Sequence, residues 1–480
     1  MRNLTMLTDL YQLTMMYGYF KHGMENNEAV FDLFFRKTRE NSAYAVMAGL
    51  ESVINYINNL HFANEDIEYL RSLELFDEDF FNKLRTMRFT GELYAMPEGT
   101  IVFPHEPLLR IKAPIMQAQL IETALLNIVN HQTNIATKAS RVVYAANGDA
   151  VLEFGLRRAQ GPDAGIYGAR AAIIGGCVAT SNVYTGQMFH IAVRGTQAHS
   201  WVMSFKDELT AFRAYAKVFP KTCMLLVDTY DTLRSGIPNA IKVFQELREQ
   251  GHEPVGVRLD SGDLAYLSKK AREMLDDSGF EKAKIFASSD LDETIIRDLK
   301  LQGAQIDVWG VGTRLITSDD HPALGGVYKL AAEIINGIMV PKIKRSDNPE
   351  KITNPGYKKV YRLYKKKNGK AIADLITLQH ETIDPEKPLR IFDPIQTWKS
   401  MVLTDFTYRE LLVPVYLEGK QVYNPPPIEE IQEYAKKELA SMWDEYKRLL
   451  NPHVYKVDLS DSLYDLKQKL LREHVDGDLA

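Results

Sequence analysis

The chain has 480 residues, of which 45% are hydrophobic and 25% are charged, a balance that is typical of a folded globular protein and excludes a disordered one. A chain of this length is too long for one core of ordinary size, so we expect two or three domains. Its formal net charge of -5 argues against binding to a nucleic-acid backbone, but it is compatible with a local basic pocket for a phosphorylated small molecule.

Three features of the sequence bear on the compartment. The only cysteines are Cys177 and Cys223, which excludes a disulfide framework and a four-cysteine zinc site. The first residues are interrupted by Asp9 and Gln12 and lack a cleavage-site pattern, so a signal peptide is not expected. The longest uncharged stretch, Ala171 to Val193, is too polar to cross a bilayer. We therefore expect a cytoplasmic protein with neither a membrane nor a nucleic-acid partner.

The first 130 residues or so are predicted to form a mixed α/β domain. Thr8 and Asp9 precede an apolar stripe, as is typical of the start of an amphipathic helix. Strand patterns follow from Ala29 to Phe35 and from Leu93 to Val102, with helical stretches between them. A polar, uncharged segment from Asn127 to Thr137 then leads into a helix.

After this segment, strands and helices alternate. Apolar runs that favour strands are centred near Leu152, Val193, Leu226, Val257, Phe286, Val308 and Tyr328. Helix-like stretches separate them, namely Asp207 to Val218, Pro238 to Gln250, Asp263 to Ser278 and Asp292 to Leu299. Strands connected in this way lie parallel, which predicts a closed or partly open α/β barrel or a doubly wound open sheet. No Gly-x-Gly-x-x-Gly turn follows an early strand, which argues against the dinucleotide-binding form of the open sheet.

The pattern changes again from about Val340. Hairpins rich in Lys and Tyr, such as Lys358 to Lys366, are followed by amphipathic helices from Ile428 to Leu450 and from Leu459 to His474. The basic run from Lys365 to Lys370 is interpreted as the solvated tip of a hairpin.

Polar and charged side chains follow six of the seven predicted strands, at the point where each strand ends. The turns concerned are Glu153 to Arg158, Arg194 to Ser200, Asp228 to Asp231, Arg258 to Asp263, Ser288 to Asp290 and Gly310 to Arg314. Because α/β barrels gather their active sites at the carboxyl ends of their strands, we predict that these turns form one site. Helix caps and turns alone would account for the Ser, Asp and Gly, but not for so many arginines.

The turn after the strand near Val308 has features of a phosphate site. Gly310 and Gly312 would let backbone N–H groups approach an anion, and the Thr313 hydroxyl would add a donor. A Gly-x-Gly pair alone is more typical of a plain tight turn. Ser288 and Ser289 at the preceding strand end favour the phosphate site, because late strands of such barrels often bind phosphate.

Four carboxylates stand at neighbouring strand ends: Asp228, Asp231, Asp260 and Asp263. Without clustered histidines, such oxygen ligands suit Mg²⁺ that is bound partly through the phosphates of a substrate, and not zinc. Asp231 and Asp263 are interpreted as caps of the helices that follow. Asp228 and Asp260 therefore remain as candidate catalytic and magnesium-binding residues.

Three ring side chains leave more than one interpretation open. His199 lies at the same edge as the other polar turns, where an imidazole could act as a nucleophile toward a phosphoryl group. A lone histidine is nevertheless more often a hydrogen-bonded structural residue. Phe154 and Tyr11 are aromatic, and their pattern alone would assign both to the core.

At these residues the sequence resembles the nicotinate phosphoribosyltransferases. The resemblance extends in the family's order from residue 8 to about 330, and the C-terminal third adds no motif of similar specificity. The matching segments are Thr8 to Met15, Glu153 to Ala164, Gly195 to Trp201, Arg258 to Asp263 and Gly310 to Arg314.

The resemblance implies an α/β fold, with an irregular (open) α/β barrel of about seven parallel strands plus an N-terminal α/β sandwich domain completed by C-terminal segments. The sandwich would span residues 1–130, the barrel with the active site 131–340, and the C-terminal hairpins and helices 341–480, which partly pack on the N-terminal domain. It further implies a homodimer with shared active sites. The reaction would join nicotinate and phosphoribosyl pyrophosphate to nicotinate mononucleotide and pyrophosphate for NAD salvage, coupled to ATP hydrolysis.

Residue by residue, the resemblance implies that Phe154 stacks on one face of the pyridine ring and Tyr11 of the partner subunit on the other. Arg157 and Arg258 would contact anionic groups, and His199 would carry the phosphoryl group taken from ATP. The residues that would hold the phosphate are Ser288, Ser289, Gly310, Gly312 and Thr313.

The chemistry of this reaction agrees with the independent interpretation of the strand ends. Transfer at an anomeric carbon passes through a positive, oxocarbenium-like centre while pyrophosphate leaves. The site therefore needs cations and Mg²⁺ for the leaving group, and a carboxylate near the sugar. Asp228 and Asp260 suit the carboxylate role.

Ser181 bears on the choice of substrate. Nicotinamide-using relatives place an aspartate here, which would accept the N–H of the amide but repel nicotinate. The serine, with arginines nearby, favours the acid, although Ser181 could simply cap a turn.

Two other classes of protein stay open. One is an aldolase or isomerase for a sugar phosphate, for which Lys329 is the only barrel lysine at a strand end. The other is a non-catalytic ligand-binding barrel, which would need no phosphorylatable histidine.

Overall fold

The fold is taken from a computed structural model that describes residues 2–477. Two compact units emerge. The first combines the chain up to Asn134 with the chain from Ala323 onward, and the second comprises Ile135–Pro322. Among the described residues, no helix has both the length and the apolar character that a membrane span requires.

The helices are, in chain order, α1 (Leu10–Lys21), α2 (Leu50–Asn58), α3 (Asn64–Ser72), α4 (Glu78–Arg85), α5 (Ile115–Leu120), α6 (Glu122–Ala146), α7 (Pro162–Ile174), α8 (Val183–Phe189), α9 (His199–Met203), α10 (Glu208–Val218), α11 (Ile237–Glu249), α12 (Leu264–Asp277), α13 (Glu293–Leu301), α14 (Thr313–Ile316), α15 (Ile428–Ser441), α16 (Asp444–Lys447) and α17 (Asp461–Gly477). A 3₁₀ turn at Leu156–Arg158 and a π-helical turn at Thr232–Gly236 lie between them.

The strands are β1 (Glu28–Phe35), β2 (Ala45–Val46), β3 (Glu92–Ala95), β4 (Ile101–Val102), β5 (Leu109–Pro114), β6 (Ala150–Glu153), β7 (Ala179–Thr180), β8 (Met224–Leu226), β9 (Gly256–Leu259), β10 (Lys284–Ser289), β11 (Val308–Val311), β12 (Gly326–Ile335), β13 (Ile338–Pro341), β14 (Lys358–Lys365), β15 (Ala371–Leu378), β16 (Leu389–Phe392), β17 (Ser400–Leu403), β18 (Phe406–Glu410), β19 (Val413–Leu417), β20 (Lys420–Gln421) and β21 (Val457–Leu459).

The first unit is built on an antiparallel sheet in the order β13-β12-β1-β5-β3-β19-β20. Strand β1 is buried along nearly its whole length, which explains its continuous apolar run. The hydrophobic core of the first unit contains residues of both chain segments, for example Met16, Phe80 and Leu109 from the first and Tyr328 and Val415 from the second. C-terminal segments thus complete the N-terminal domain, as the family resemblance implies.

A smaller sheet of the first unit has the order β18-β14-β15-β21. Strands β14 and β15 pair as the predicted hairpin. Lys366 and Lys367 of the basic run lie exposed at its tip, which confirms the solvated-tip interpretation.

The second unit carries the parallel sheet, in the order β7-β6-β11-β10-β9-β8. Helices α11, α12 and α13 connect β8 to β11 in alternation, so the predicted β/α repeat is confirmed. The side chains of Asp207, Asp263 and Asp292 accept backbone N–H bonds at the starts of α10, α12 and α13. The order of the six strands is linear, with β7 and β8 at its two ends, which agrees with an open, barrel-like α/β arrangement.

Two of the predicted barrel strands are wrong. Val193 forms only an isolated bridge to Thr180. Tyr328 lies in β12, which pairs antiparallel with β1 in the first unit, so the second unit ends at Pro322 and not at residue 340. An apolar run shows that a strand is buried but not which strand it pairs with. The sequence also misses β7, because two residues are too few to show a period.

The polar segment from Asn127 to Thr137 is a helix, since it lies inside α6. Its buried polar side chains are those of Gln132, Thr133, Asn134 and Thr137. The Thr133 hydroxyl, for example, accepts from the backbone N–H of Ala48 at 3.1 Å. Buried polar residues masked the helical period in the sequence. Helix α6 crosses the border between the two units at Asn134.

Candidate active site

The carboxyl ends of the parallel strands surround a cavity of about 420 Å³. It lies within the second unit, and most of the residues predicted from the sequence line it. These are Phe154, Arg157, Ser181, His199, Arg258, Asp260, Ser288, Ser289, Gly310, Gly312 and Thr313. Asp228 lies directly behind Asp260, whereas Tyr11 belongs to the first unit.

Phe154 is placed by two neighbouring strand ends. It directly follows β6, and its backbone N–H donates to the carbonyl of Val311 in β11 at 2.8 Å. A Cβ at Gly310 would lie only 2.8 Å from Cδ2 of the Phe154 ring, so a side chain there would displace the ring. The glycine therefore serves close packing of an aromatic wall as well as the predicted access to phosphate.

Arg258 is the centre of the hydrogen bonds in the cavity wall. Its Nε donates to Ser288 Oγ at 2.9 Å, and one terminal nitrogen donates to Thr196 Oγ1 at 2.6 Å. The other terminal nitrogen lies 3.3 Å from Asp260 Oδ1. Arg258 and Asp260 stand two residues apart, so the alternation of an extended chain points them to the same side. A ligand carboxylate or phosphate in the cavity would meet a cation that is already oriented.

Asp260 is an anion at the same wall. Burial raises its pKa, but the hydrogen bond from Ser288 and the charge of Arg258 outweigh this effect and hold the pKa below its ordinary value. The backbone N–H of Asp260 donates to Asp228 Oδ2 at 2.8 Å, and Ser261 Oγ donates to the same oxygen at 2.7 Å. Asp228 therefore supports the turn that carries Asp260.

His199 begins the short helix α9 and lines the cavity. Its Nδ1 lies 3.1 Å from Thr229 Oγ1, and its Nε2 lies 3.6 Å from Asp260 Oδ2. Thr229 thus orients the ring. Thr229 and Thr196 were not singled out from the sequence, although each adjoins a predicted residue or motif: Thr229 follows Asp228, and Thr196 lies in the segment that contains His199.

The charge of the cavity favours anionic ligands. Arg157 and Arg158, on the 3₁₀ turn, are exposed and join Arg258 in the lining. The carboxylates of the lining are Asp260 and Asp290. Arg158 and Asp290 are further site residues to which the sequence assigned no role. Cations in excess over carboxylates attract phosphates and carboxylates.

The predicted phosphate turn connects β11 to α14. Ser288 of β10 lies beside Gly310 of β11 in the parallel register, so the serines and the glycines are neighbours, as expected. Arg314, the next residue after Thr313, donates to Asp292 Oδ2 at 2.5 Å. This ion pair ties the turn to the start of α13.

Two of the four strand-end carboxylates, Asp231 and Asp263, are helix caps, as predicted. Asp231 accepts from the backbone N–H groups of Leu233 and Arg234, and Asp263 accepts from that of Tyr266. No three His, Cys, Asp or Glu side chains of residues 2–477 cluster closely enough to hold a metal ion by themselves. A cation at Asp228 and Asp260 would need oxygens from a substrate as well.

Three family models match the chain. They are the nicotinate phosphoribosyltransferase N-terminal domain at residues 6–130, the nicotinate phosphoribosyltransferase family at 150–383 and the corresponding C-terminal domain at 357–467. The chain is 50% identical over 471 residues to nicotinate phosphoribosyltransferase of Bacillus subtilis, covering 98% of this chain and 96% of the relative. It is 37% identical to that of Caenorhabditis elegans, covering 97% and 93%.

Solved structures give the same picture. Human nicotinic acid phosphoribosyltransferase matches with a TM-score of 0.85 and 31% identity, over 97% of this chain and all of that chain. Nicotinate-nucleotide pyrophosphorylase from Pyrococcus furiosus matches with a TM-score of 0.70 and 23% identity, over 91% and 95%, and shares the fold. With these matches along nearly its whole length, the chain belongs to the nicotinate phosphoribosyltransferase family and is an enzyme of that family.

Proposed function

We propose that this enzyme joins nicotinate to phosphoribosyl pyrophosphate, forming nicotinate mononucleotide and pyrophosphate in cytoplasmic NAD salvage. The observation that carries the proposal is the cavity in which Phe154, three arginines and a serine- and glycine-rich turn converge. The relatives from Bacillus subtilis and Caenorhabditis elegans bear the name of this activity. Both cysteines are free thiols, as expected for a cytoplasmic protein.

Each part of the cavity suits one part of the substrates. The ring of Phe154 offers a stacking surface for pyridine. Arg258 and Arg157 offer cations for the carboxylate of nicotinate and for phosphate oxygens. Ser288 and Thr313, with the backbone of the glycine turn, offer donors for the 5-phosphate of the sugar.

During the transfer, the bond between the anomeric carbon and a pyrophosphate oxygen breaks, and a bond from that carbon to the ring nitrogen of nicotinate forms. The ring nitrogen attacks with its lone pair, so no proton has to be removed first. Asp260, kept ionised by Ser288 and Arg258, would stabilise the positive charge on the ribosyl ring. Holding both substrates in line would supply much of the rate.

The residues present fit Mg²⁺ as the cofactor. Asp228 Oδ1 is buried and lacks a hydrogen-bond partner among the described residues, and Asp260 Oδ2 lies 3.6 Å from Nε2 of His199. These oxygens would hold the ion together with pyrophosphate oxygens, as is usual for Mg²⁺. When bound, the ion would neutralise charge on the leaving group.

ATP would be a co-substrate through His199. With Nδ1 held by Thr229, the ring turns its Nε2 toward Asp260 at the cavity wall. Attack of Nε2 on the γ-phosphate would form a phosphorus–nitrogen bond and release ADP. Water would later cleave this bond and release phosphate, which couples ATP hydrolysis to the transfer.

A homodimer with shared sites would complete the pyridine pocket. Tyr11 is 48% exposed on α1, although its aromatic side chain would normally be assigned to the core. It belongs to a patch of exposed apolar side chains formed by Leu7, Leu10, Tyr11 and Met15. Such a patch suits a protein interface. Tyr11 of the partner subunit would then cover the face of the pyridine opposite Phe154.

The cavity favours nicotinate over nicotinamide, because Ser181 contributes no carboxylate to the wall while three arginines do contribute cations. The aldolase alternative loses its only candidate, since Lys329 lies in β12 of the antiparallel sheet and not in the parallel sheet. The non-catalytic alternative does not agree with membership in an enzyme family.

The proposal is tested by following all products. Purified protein, nicotinate, phosphoribosyl pyrophosphate and Mg²⁺ should yield nicotinate mononucleotide and pyrophosphate in equal amounts, measured by mass spectrometry and a pyrophosphate assay. Added ATP should raise the yield and appear as ADP. If neither condition gives nicotinate mononucleotide, the proposed function is wrong.

A further inference from the structure

Glu153 is a completely buried carboxylate at the end of β6, with 0% of its surface exposed. The next residue, Phe154, lines the cavity, but Glu153 itself does not. The contacts described for its carboxylate are a backbone amide and a hydroxyl and include no Lys or Arg. Burial raises its pKa, and the hydrogen bonds from Thr180 and Gly155 offset this rise only in part. Such a group is costly to bury, so a purely packing role would be better served by an apolar side chain.

The carboxylate bonds to two separate turns of the cavity wall. Oε1 accepts from the backbone N–H of Gly155, in the turn that carries Phe154. Oε2 accepts from Thr180 Oγ1 at 2.6 Å, and Thr180 immediately precedes Ser181. The backbone of Glu153 adds a third connection, because its carbonyl accepts from the N–H of Ser181 at 3.0 Å.

The bond to Gly155 requires a glycine. A Cβ at this position would lie 2.4 Å from Cβ of Ile316 in α14 and 2.9 Å from Glu153 Oε1. The Phe154 turn is therefore held between the carboxylate on one side and α14 on the other. On the second turn, Thr180 Oγ1 accepts from the N–H of Asn182 at 3.0 Å, so its hydroxyl is engaged as donor and acceptor.

We propose that Glu153 is a positioning residue that sets the spacing between Phe154 and Ser181, and thereby the affinity of the cavity for the pyridine substrate. This inference rests on the proposed function, because it assumes that the two turns bind nicotinate. It goes beyond that function by assigning control of the affinity to a side chain that does not line the cavity.

Glu153→Gln tests the proposal with a side chain of equal size. The backbone N–H of Gly155 can only donate, so the oxygen of the new amide must face Gly155. The NH₂ group must then face the Thr180 hydroxyl, which loses the acceptor for its proton. We expect the KM for nicotinate to rise about ten-fold, while kcat and the KM for phosphoribosyl pyrophosphate change less than about two-fold. Thr180→Val removes the other partner and should raise the same KM. Because the two substitutions break the same hydrogen bond, the KM for nicotinate of the double variant should rise by less than the product of the two single effects.

Glu208→Gln is the matched control. Glu208 is also a buried carboxylate that accepts from side chains, those of Ser235 and Asn239, and neither these partners nor Glu208 line the cavity. Its kinetic constants should equal those of the wild type. If Glu153→Gln does not fold, Thr180→Val carries the same expectation for nicotinate.

An unchanged KM for nicotinate in the folded variants would overturn the proposal. So would a rise of both KM values together, because that is the result of a general loss of structure. If the wild type transfers nothing to nicotinate, the proposed function itself is wrong and the inference falls with it.

Discussion

Arg258 in the strand-end cavity and Arg362 in the smaller sheet of the first unit both bond to carboxylates, but their surroundings differ. Arg362 is fully buried and donates to Asp374 at 2.6 Å, to Glu438 at 3.0 Å and to the carbonyl of Ile101 at 2.6 Å. Arg258 keeps 14% of its side chain exposed, and its side-chain partners line the cavity with it.

This difference separates two uses of charge in one protein. A fully buried and fully bonded arginine cannot exchange its partners for a ligand, so its contacts serve the fold. An arginine at a cavity can share its donors with an incoming carboxylate or phosphate. Substitutions in the first region should therefore change stability, and substitutions in the second should change kinetics.

The largest effect is expected for the buried arginine. Arg362→Met leaves the buried carboxylate of Asp374 without its cation, which should lower the free energy of unfolding by about 3–5 kcal/mol. Arg409→Met is the matched control. Arg409 also bonds Glu438 but is partly exposed, so Arg409→Met should lower the free energy of unfolding by only about 1 kcal/mol. Urea unfolding followed by circular dichroism compares the midpoints. Equal losses in the two variants would contradict the distinction.

At the cavity, Asp260→Asn keeps the shape of the side chain but removes its charge. We expect kcat to fall about a hundred-fold, and more than nicotinate binding weakens, because the charge acts on the ribosyl cation. Asp263→Asn in the same turn should leave kcat unchanged, since Asn also caps helices well. Steady-state kinetics and thermal unfolding measure both variants. A larger effect on the KM for nicotinate than on kcat would make Asp260 a binding residue only.

His199→Ala should abolish ATP hydrolysis and the stimulation by ATP. The KM for phosphoribosyl pyrophosphate without ATP should change less than about three-fold, because the residues expected to bind the phosphate remain. Thr229→Val, which frees the ring without removing it, should lower the stimulation only in part. Release of ADP and of nicotinate mononucleotide are measured together. Unchanged ATP coupling would remove His199 from the mechanism.

Tyr11→Ala should raise the KM for nicotinate about ten-fold, because one stacking surface is lost. Mixing this variant with Asp260→Asn separates a shared site from an unshared one. The mixture is assayed with nicotinate well below its KM, where both parent variants are nearly inactive. A mixed dimer would have one intact and one doubly damaged site, so an equal mixture should recover about a quarter of the wild-type activity. Dimers without any recovery would show that the sites are not shared.

The smallest effect concerns Lys467, where burial lowers the pKa to about 8. The unfolded chain then binds more protons between pH 8 and 10.5, so Lys467 makes stability rise with pH across this window. Lys467→Met should remove that rise and raise the unfolding temperature at pH 7 by about 2 °C. Exposed Lys469→Met on the same helix should change neither. A rise with pH that persists in Lys467→Met would assign it to another group.

The fold was predictable where short-range chemistry decides it. The starts of helices α10, α12 and α13 were predicted from Asp207, Asp263 and Asp292, and each helix begins directly after its aspartate. Pairing between distant strands was not predictable, because the apolar pattern of β12 suits a parallel and an antiparallel partner alike. The first part of helix α6 was not predicted because buried polar residues interrupt its apolar pattern. The partner of Thr133, for example, is Ala48, which lies far away in the sequence.

Most of the residues that line the cavity could be predicted from the sequence, but the hydrogen bonds between them could not. Parallel strands bring their carboxyl ends together, so residues such as Phe154, Arg258 and Gly310 could be collected from their places after each strand. The bonds from Arg258 to Thr196 and from Thr180 to Glu153 join side chains that no periodicity connects. Only the folded geometry shows them.

The most direct test of the proposed function is a comparison of substrates. Steady-state kcat/KM is measured for nicotinate and for nicotinamide, each with phosphoribosyl pyrophosphate, Mg²⁺ and ATP. Because the cavity wall carries arginines and Ser181 in place of a carboxylate, we predict a preference for nicotinate of about a hundred-fold or more. Equal use of the two substrates, or a preference for nicotinamide, would contradict the assignment of the cavity to nicotinate.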